Sequence, residues 1–352
     1  MPCRSSGFSS TTKILWSAIV LQVVCGGVRF VDGSMLLQFS QAGFQANLKD
    51  FSQYLFDSPL KILFLRAIHL DSASAIGALF LALNFLPLIT ILFVSRDRLE
   101  RQYLLAIVSI VPIWKLMFQN IGVGDSIVIS GTIVLVVARH WLSLASAAFL
   151  MVLWHFQQGI LMVSFVFVLC CAMPGPGRSI RLRALAAGAM VGICSFVAIK
   201  TFLVPPHTSR LEFIFAHMAP FLSKNVLYLP IALCAIVPGT ILMAELLQEP
   251  HWKERKPLAV VAITATALAV FVGSITTDFS RVMVLLTFPI ILFIANPRTE
   301  PPEFREKLLA PRHLVPLAAI AVVTPFFSWS GIDVFLWTSL IETFRKYLPG
   351  AV

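Results

Sequence analysis

Apolar residues along this chain come in long blocks separated by short polar punctuation, with no sustained alternation that would suggest strands. The first block runs from Ile14 to Val31. After a mixed stretch at 32–72, further blocks occupy 73–94, 102–118, 126–138, 141–154, 159–173, 184–203, 225–246, 257–274, 282–296 and 313–328. A helix needs roughly 20 apolar residues to cross about 30 Å of hydrocarbon. The pattern therefore predicts an all-α, polytopic transmembrane helical bundle of about 11 spans. The blocks at 126–138 and 141–154 are short for a crossing, as happens where neighbours shield a helix or the bilayer thins. In the 32–72 stretch, Leu60, Ile62, Leu63, Leu65 and Ile68 are interleaved with Lys61 and Arg66. This predicts short amphipathic helices lying along the membrane surface in the first outer loop. Pro112, Pro230, Pro238 and Pro289 stand where they could kink spans.

Composition narrows the picture. The 352 residues are 58% hydrophobic and only 12% charged, with a mean hydropathy of +0.87, which leaves no material for a separate aqueous domain. No repeat, low-complexity tract or linker divides residues 1–352, which read as one integral membrane domain. Twenty-nine Phe and seven Trp against four Tyr, in runs without alternation, argue against a β-barrel. The six cysteines form no C-x-x-C pair, so neither a disulfide framework nor a zinc site is implied.

The net charge of +10 would suggest nucleic acid in a soluble protein, but membrane topology accounts for it without a nucleic-acid partner. With the first block read as a helix and the N-terminus cytoplasmic, the inner loops and N-terminal tail hold 16 of the 27 Lys and Arg. The bias comes from Arg96-Asp97-Arg98, Arg178 to Arg183 and Lys253 to Lys256. A bacterial inner membrane is the expected location.

Seven of the eight aspartates then fall on the outer side. A carboxylate near hydrocarbon costs several kcal/mol unless it is hydrated, paired or used. Asp32 follows the first block. Gly122-Val123-Gly124-Asp125 fills an outer turn, His155-Phe156-Gln157-Gln158-Gly159 the next, and Thr276-Thr277-Asp278-Phe279-Ser280-Arg281 another. The loop Pro205 to Lys224 carries His207, Arg210, Glu212 and His217. Each also has a plain structural reading: Asp125 and Asp278 as helix caps, His155 as a hydrogen-bonded interfacial histidine, Arg281 as a partner of Asp278 or of a lipid phosphate, and Asp50, Asp57 and Asp71 as solvated surface charges. Their recurrence at successive outer turns is what suggests a site.

In this plan the chain resembles the GT-C class of integral-membrane glycosyltransferases: a cytoplasmic N-terminus, a first span leading into a long outer loop with surface helices, and Asp32 where the family carries its catalytic carboxylate. The family often has a paired acidic motif there; here Asp32 is followed by Gly33 and Ser34. The resemblance implies transfer of a sugar from a polyprenyl-phosphate donor to a glycan, lipid or protein acceptor at the extracytoplasmic face. That chemistry needs a base for the acceptor hydroxyl and cations for the leaving phosphate. Asp32, Asp125 and His155 are the catalytic candidates; Asp278, Arg281, Arg210 and His207 are candidates for substrate binding. No cofactor is implied with certainty, and a divalent metal is left open. No G-x-G-x-x-G or phosphate-loop signature points to a soluble nucleotide donor. The alternatives are a polymerase or ligase of lipid-linked glycans, and a transporter or flippase. Span centres nearly devoid of charge, with Lys115 and Lys200 near outer ends, weigh against ion-coupled transport.

Overall fold

A computed structural model describes residues 5–30, 33–46, 55–173, 177–205, 210–249, 256–276 and 279–324. The described residues are all-helical apart from one isolated parallel bridge, Phe30 to Ile121. The chain opens with α1 (Ser5–Gly26) and then forms α2 (Gly33–Ala42) and α3 (Pro59–Ile68) within the stretch where short helices were expected. Next come α4 (Ala73–Leu83), α5 (Leu86–Val94), α6 (Arg98–Ile110), α7 (Ile113–Gln119), α8 (Asp125–Val137), α9 (Trp141–Trp154), α10 (Phe156–Ala172) and α11 (Arg178–Phe202). The remainder holds α12 (Arg210–Leu233), α13 (Val237–Gln248), α14 (Lys256–Ser274), α15 (Phe279–Ile294), α16 (Pro302–Leu309) and α17 (Pro311–Val323).

Among the described residues, three helices are long and apolar enough to cross a membrane: Ala73–Val94, in which α4 and α5 run on as one, Arg178–Phe202 and Pro257–Ser274. Only about a third or less of each is buried inside the protein (28%, 28% and 33%), and Phe93, Met190, Val191, Val260, Ile263 and Phe271 project outward. Such continuous apolar faces suit lipid and not water. Other apolar helices are shorter, at 10–17 residues. Two of these, α8 and α15, form the centre. Every residue from 280 to 297 is buried, so α15 is enclosed by protein, its few polar groups Ser280, Arg281 and Thr287 included.

Polar contacts gather the helix ends into two sets. At one end, Arg281 reaches Asp125, Gln157 reaches Asp57, and Thr324 Oγ1 donates to Cys234 O at 3.4 Å. At the other, Gln102 donates to Thr12 at 3.0 Å, Lys307 to Glu249 at 3.0 Å, and Asn296 to Val136 O at 3.2 Å. These are called the Asp125 end and the Arg298 end. Because Arg281 meets Asp125 and Asn296 meets Val136, α15 and α8 run parallel with both N-termini at the Asp125 end.

Two elements differ from the sequence expectation. The span expected at 102–118 is broken: α6 and α7 meet at 62° across Val111-Pro112. Pro112 has no N–H to extend α6, and its ring disfavours helical geometry at Val111, which is extended at ψ 134. The loop expected up to Lys224 is helical from Arg210, and the span expected at 225–246 is interrupted by a 3-10 turn at Cys234–Ile236, just before Pro238. The end of the last expected span, beyond Thr324, lies outside the described residues.

The closest helix pairing joins α9 to α11 through a small-residue face. A side chain at Gly188 would run into the carbonyl oxygen of Ala145, and one at Gly192 would come within 3.0 Å of Val152. Two glycines four residues apart let backbones approach and gain dispersion contacts where lipid offers no hydrophobic drive. Gly188→Leu is therefore expected to force α9 and α11 apart and to destabilise the protein by about 3 kcal/mol. Leucine at the outward-facing Met190 should change little. Thermal unfolding of the two variants in detergent checks this, and equal melting temperatures would refute the packing argument.

Candidate functional site

The Asp125 end is built around a tight reversal. Gly122 and Gly124 adopt φ of 103° and 83°, a region costly for any side chain, and this turns the chain from α7 into α8. Asp125 is then the first residue of α8, where a negative charge suits the helix dipole. Its carboxylate does not cap α8. It accepts two hydrogen bonds from Arg281, Nε at 2.7 Å and Nη2 at 2.6 Å, and the two side chains are only 1% and 2% exposed. Arg281 sits in the first turn of α15, where the dipole disfavours a cation, and the carboxylate compensates for that as well as for burial.

His155 is the single residue between α9 and α10. Its N–H donates to Met151 O at 3.1 Å and its carbonyl accepts from Gly159 N at 2.7 Å, so a sharp bend keeps its backbone paired. The ring is buried. The neighbouring Trp154 packs edge-on against Phe64 of α3 at 5.6 Å between centroids, also meets Phe80 of α4, and lies against Gly124, where a side chain would strike the indole nitrogen. Trp154 thus ties α3 and α4 to the turn that presents Asp125.

Beyond the bend, Gln157 Nε2 donates to Asp57 Oδ2 at 2.7 Å, and Lys200 Nζ near the end of α11 stands 3.6 Å from Asp57 Oδ1. Asp57 is 2% exposed and Lys200 39%. Phe156 and Phe196 stack at 3.6 Å beside them, which joins the start of α10 to α11. The polar groups of this end form a layer in two parts, Lys200, Asp57 and Gln157 in one and Asp125 with Arg281 in the other, joined along the chain by His155 and by Trp154, which lies against Gly124. Trp154 Nε1, Ser126 Oγ, Gln157 Oε1 and Gln158 Oε1 are buried in it without hydrogen-bond partners among the described residues. Buried polar groups nearly always find partners, so unpaired donors and acceptors together at one end indicate a place for a polar ligand or water.

Of the residues proposed from sequence, the structure brings Asp125, His155 and Arg281 into this layer. Arg210 opens α12, while Asp32, His207 and Asp278 lie outside the described residues. Asp57 departs from its reading as a solvated charge: the α9–α10 bend and the end of α11 fold over it. By contrast, Asp71 is exposed, 3.9 Å from the exposed His69. Gln157, Trp154 and Lys200 are the other members that sequence reasoning missed. Among the described residues no group of three His, Cys, Asp or Glu could hold a metal ion.

A second polar cluster surrounds the break after α6. Lys115, 1% exposed, donates to Val322 O at 2.6 Å and Thr324 O at 2.7 Å, where α17 ends. Its stem presses on Gly26 of α1, whose carbonyl accepts from Gln119 Nε2 at 2.5 Å. Gln22 Nε2, one turn earlier on the same face of α1, donates to Ser109 O at 2.6 Å.

Fold and site together define an all-helical, membrane-associated protein with a buried polar layer at one end of its bundle. Comparisons with protein-family models, with curated proteins and with solved structures find no match.

Proposed function

We propose that this chain is an integral membrane glycosyltransferase of about 11 crossings, which moves a sugar from a polyprenyl-phosphate donor to an acceptor at the face carrying the Asp125 end. One observation carries the reading: a buried carboxylate, Asp57, lies beside a partly exposed ammonium, Lys200, at the rim of the polar layer, where α3 packs against α9 through Phe64 and Trp154. A lipid-borne donor keeps its isoprenoid tail in hydrocarbon and needs its reacting atoms met at such a rim. Asp57 takes the proton of the acceptor hydroxyl as that oxygen bonds to the anomeric carbon. The bond from that carbon to the phosphate oxygen breaks, and its electron pair leaves with polyprenyl phosphate, whose growing charge Lys200 stabilises. The unpaired Trp154, Gln157 and Gln158 groups suit sugar hydroxyls. The Arg281–Asp125 pair holds α8 and α15 in place beneath. In this reading the N-terminus is cytoplasmic and the protein resides in a bacterial inner membrane.

The test is incubation of purified protein in nanodiscs with radiolabelled polyprenyl-phosphate sugars. Asp57→Asn is expected to lower transfer at least about 100-fold, the usual scale of general-base loss, while Asp71→Asn leaves it unchanged. Full activity in Asp57→Asn, or no transfer by wild type from any donor, would remove the proposal.

A specific observation favours a second reading, translocation of a lipid-linked substrate. Broken helices and ionisable residues inside the bundle are common in transport paths, and Lys115 lies buried just past a 62° break. On this reading, proteoliposomes flip a fluorescent polyprenyl-phosphate analogue and Lys115→Met abolishes the flipping. Equal flipping by the variant and wild type, or none by wild type, rejects it.

A further inference from the structure

The Arg298 end gathers several cations, which converge from elements distant in sequence. Arg298 donates through Nη2 to Val94 O at 3.0 Å and through Nη1 to Val137 O, so the C-terminal ends of α5 and α8 lie side by side. Arg96 and Arg139 follow those ends by two residues each, and both are exposed. Both are close enough to Arg298 to act on its charge: burial lowers its pKa most, Glu100 opposes this, and Arg96 and Arg139 add to the lowering. Arg181 Nη2 donates to Ala138 O at 3.0 Å, which brings the first turns of α11 to the same place. Arg178, three residues before Arg181, shares its helical face and is exposed.

Five arginines, Arg298 among them, thus surround one corner, against the two acids Glu100 and Asp97. Glu100 is occupied by Arg298 at 3.1 Å and by the Arg96 N–H at 3.2 Å. Asp97 accepts from Glu100 N at 2.8 Å as the cap of α6. Beside the cations, Trp141 and Leu142 in the first turn of α9 and Ile180 in the first turn of α11 are exposed. Guanidinium groups held together favour an anion between them, and the fork of arginine fits phosphate oxygens two at a time. Exposed aromatic and aliphatic groups next to the charges suit an ester-linked acyl region, which a free phosphate lacks.

We propose that Arg96, Arg139, Arg178 and Arg181 form a binding site for the phosphate headgroup of an anionic phospholipid, with Trp141, Leu142 and Ile180 against its acyl chains. The site rests on the membrane placement of the chain and not on the glycosyl-transfer reaction, so it stands or falls separately from that proposal.

The experiment uses the full chain in neutral detergent, titrated with short-chain phosphatidylglycerol, with phosphatidylcholine of equal chain length, or with glycerol phosphate. Bound lipid is read by native mass spectrometry and stabilisation by thermal unfolding. Phosphatidylglycerol is expected to bind at least tenfold more tightly than phosphatidylcholine and to raise the melting temperature, with glycerol phosphate doing neither. Arg139→Gln with Arg178→Gln, both at exposed positions, should erase that preference, while the corresponding lysine pair retains most of it. Equal binding of the two lipids by wild type, an unchanged preference in the glutamine variant, or equal stabilisation by glycerol phosphate would each overturn the proposal, the last in favour of a free-anion site.

Discussion

Arg281→Ala is expected to destabilise the protein by about 3–5 kcal/mol, the usual cost of leaving one member of a buried ion pair without the other. The size follows from geometry. Asp125 is buried in the first turn of a central helix and takes two short hydrogen bonds from Arg281. With the guanidinium gone, that carboxylate must stay ionised while buried and without its partner, or take up a proton. Asp125→Ala should be comparably harmful, since it strands a cation at a helix N-terminus, where the dipole opposes it. The double variant Asp125→Leu with Arg281→Met is expected to recover most of the loss, because an apolar pair of similar volume needs no desolvation. Unfolding in detergent, measured for the two singles and the double, gives the coupling between them. A double variant as unstable as the sum of the singles would show that the pair is not the unit of stability. The same variant bears on function: a stable but inactive double variant would give the pair a role in binding or chemistry.

Much of the architecture is legible in the sequence because hydrophobic blocks are a local signal. The blocks at 73–94 and 257–274 reappear as continuous apolar helices, and the mixed stretch before residue 72 contains α2 and α3. The turn glycines at 122 and 124 and the His155 bend are likewise local, set by residues within a few positions of one another. Asp57 is different. Its burial depends on Gln157 and Lys200, 100 and 143 positions further along the chain, and nothing near residue 57 distinguishes it from Asp71, which is exposed. The Asp125–Arg281 pairing is equally non-local: both residues stand out as outer-turn charges, yet the partners that sequence offered for Arg281 were Asp278 or a lipid phosphate. Two missed features did leave a trace. Gly188 and Gly192 are spaced for a close helix contact. Leu211, Phe215, Met218 and Leu222 recur at helical intervals through the stretch read as a loop, where Pro220 and the charges around it obscured the period.

At the opposite end, Arg298→Ala should rank with Arg281→Ala in its effect on stability, for a reason that combines charge with helix termination. The last carbonyls of a helix have no partner within it. Arg298 satisfies Val94 O at the end of α5 and Val137 O at the end of α8, and it also pairs with the buried Glu100 of α6 at 3.1 Å. Three helices are fixed by one planar group, and alanine leaves two carbonyls unsatisfied and the Glu100 carboxylate held only by the Arg96 N–H, a loss of about 3–5 kcal/mol. Lysine retains the charge but not the fork, so Arg298→Lys should recover the Glu100 pairing and lose at least one carbonyl contact, ending between alanine and wild type. Adding Glu100→Gln to Arg298→Ala removes the stranded charge and should restore part of the stability. Added to wild type, the same change should destabilise. That reversal of sign, read from detergent unfolding of the four proteins, is specific to a buried pair; destabilisation of the alanine variant by Glu100→Gln would mean that Glu100 is held by other groups and that Arg298 acts through the helix ends alone.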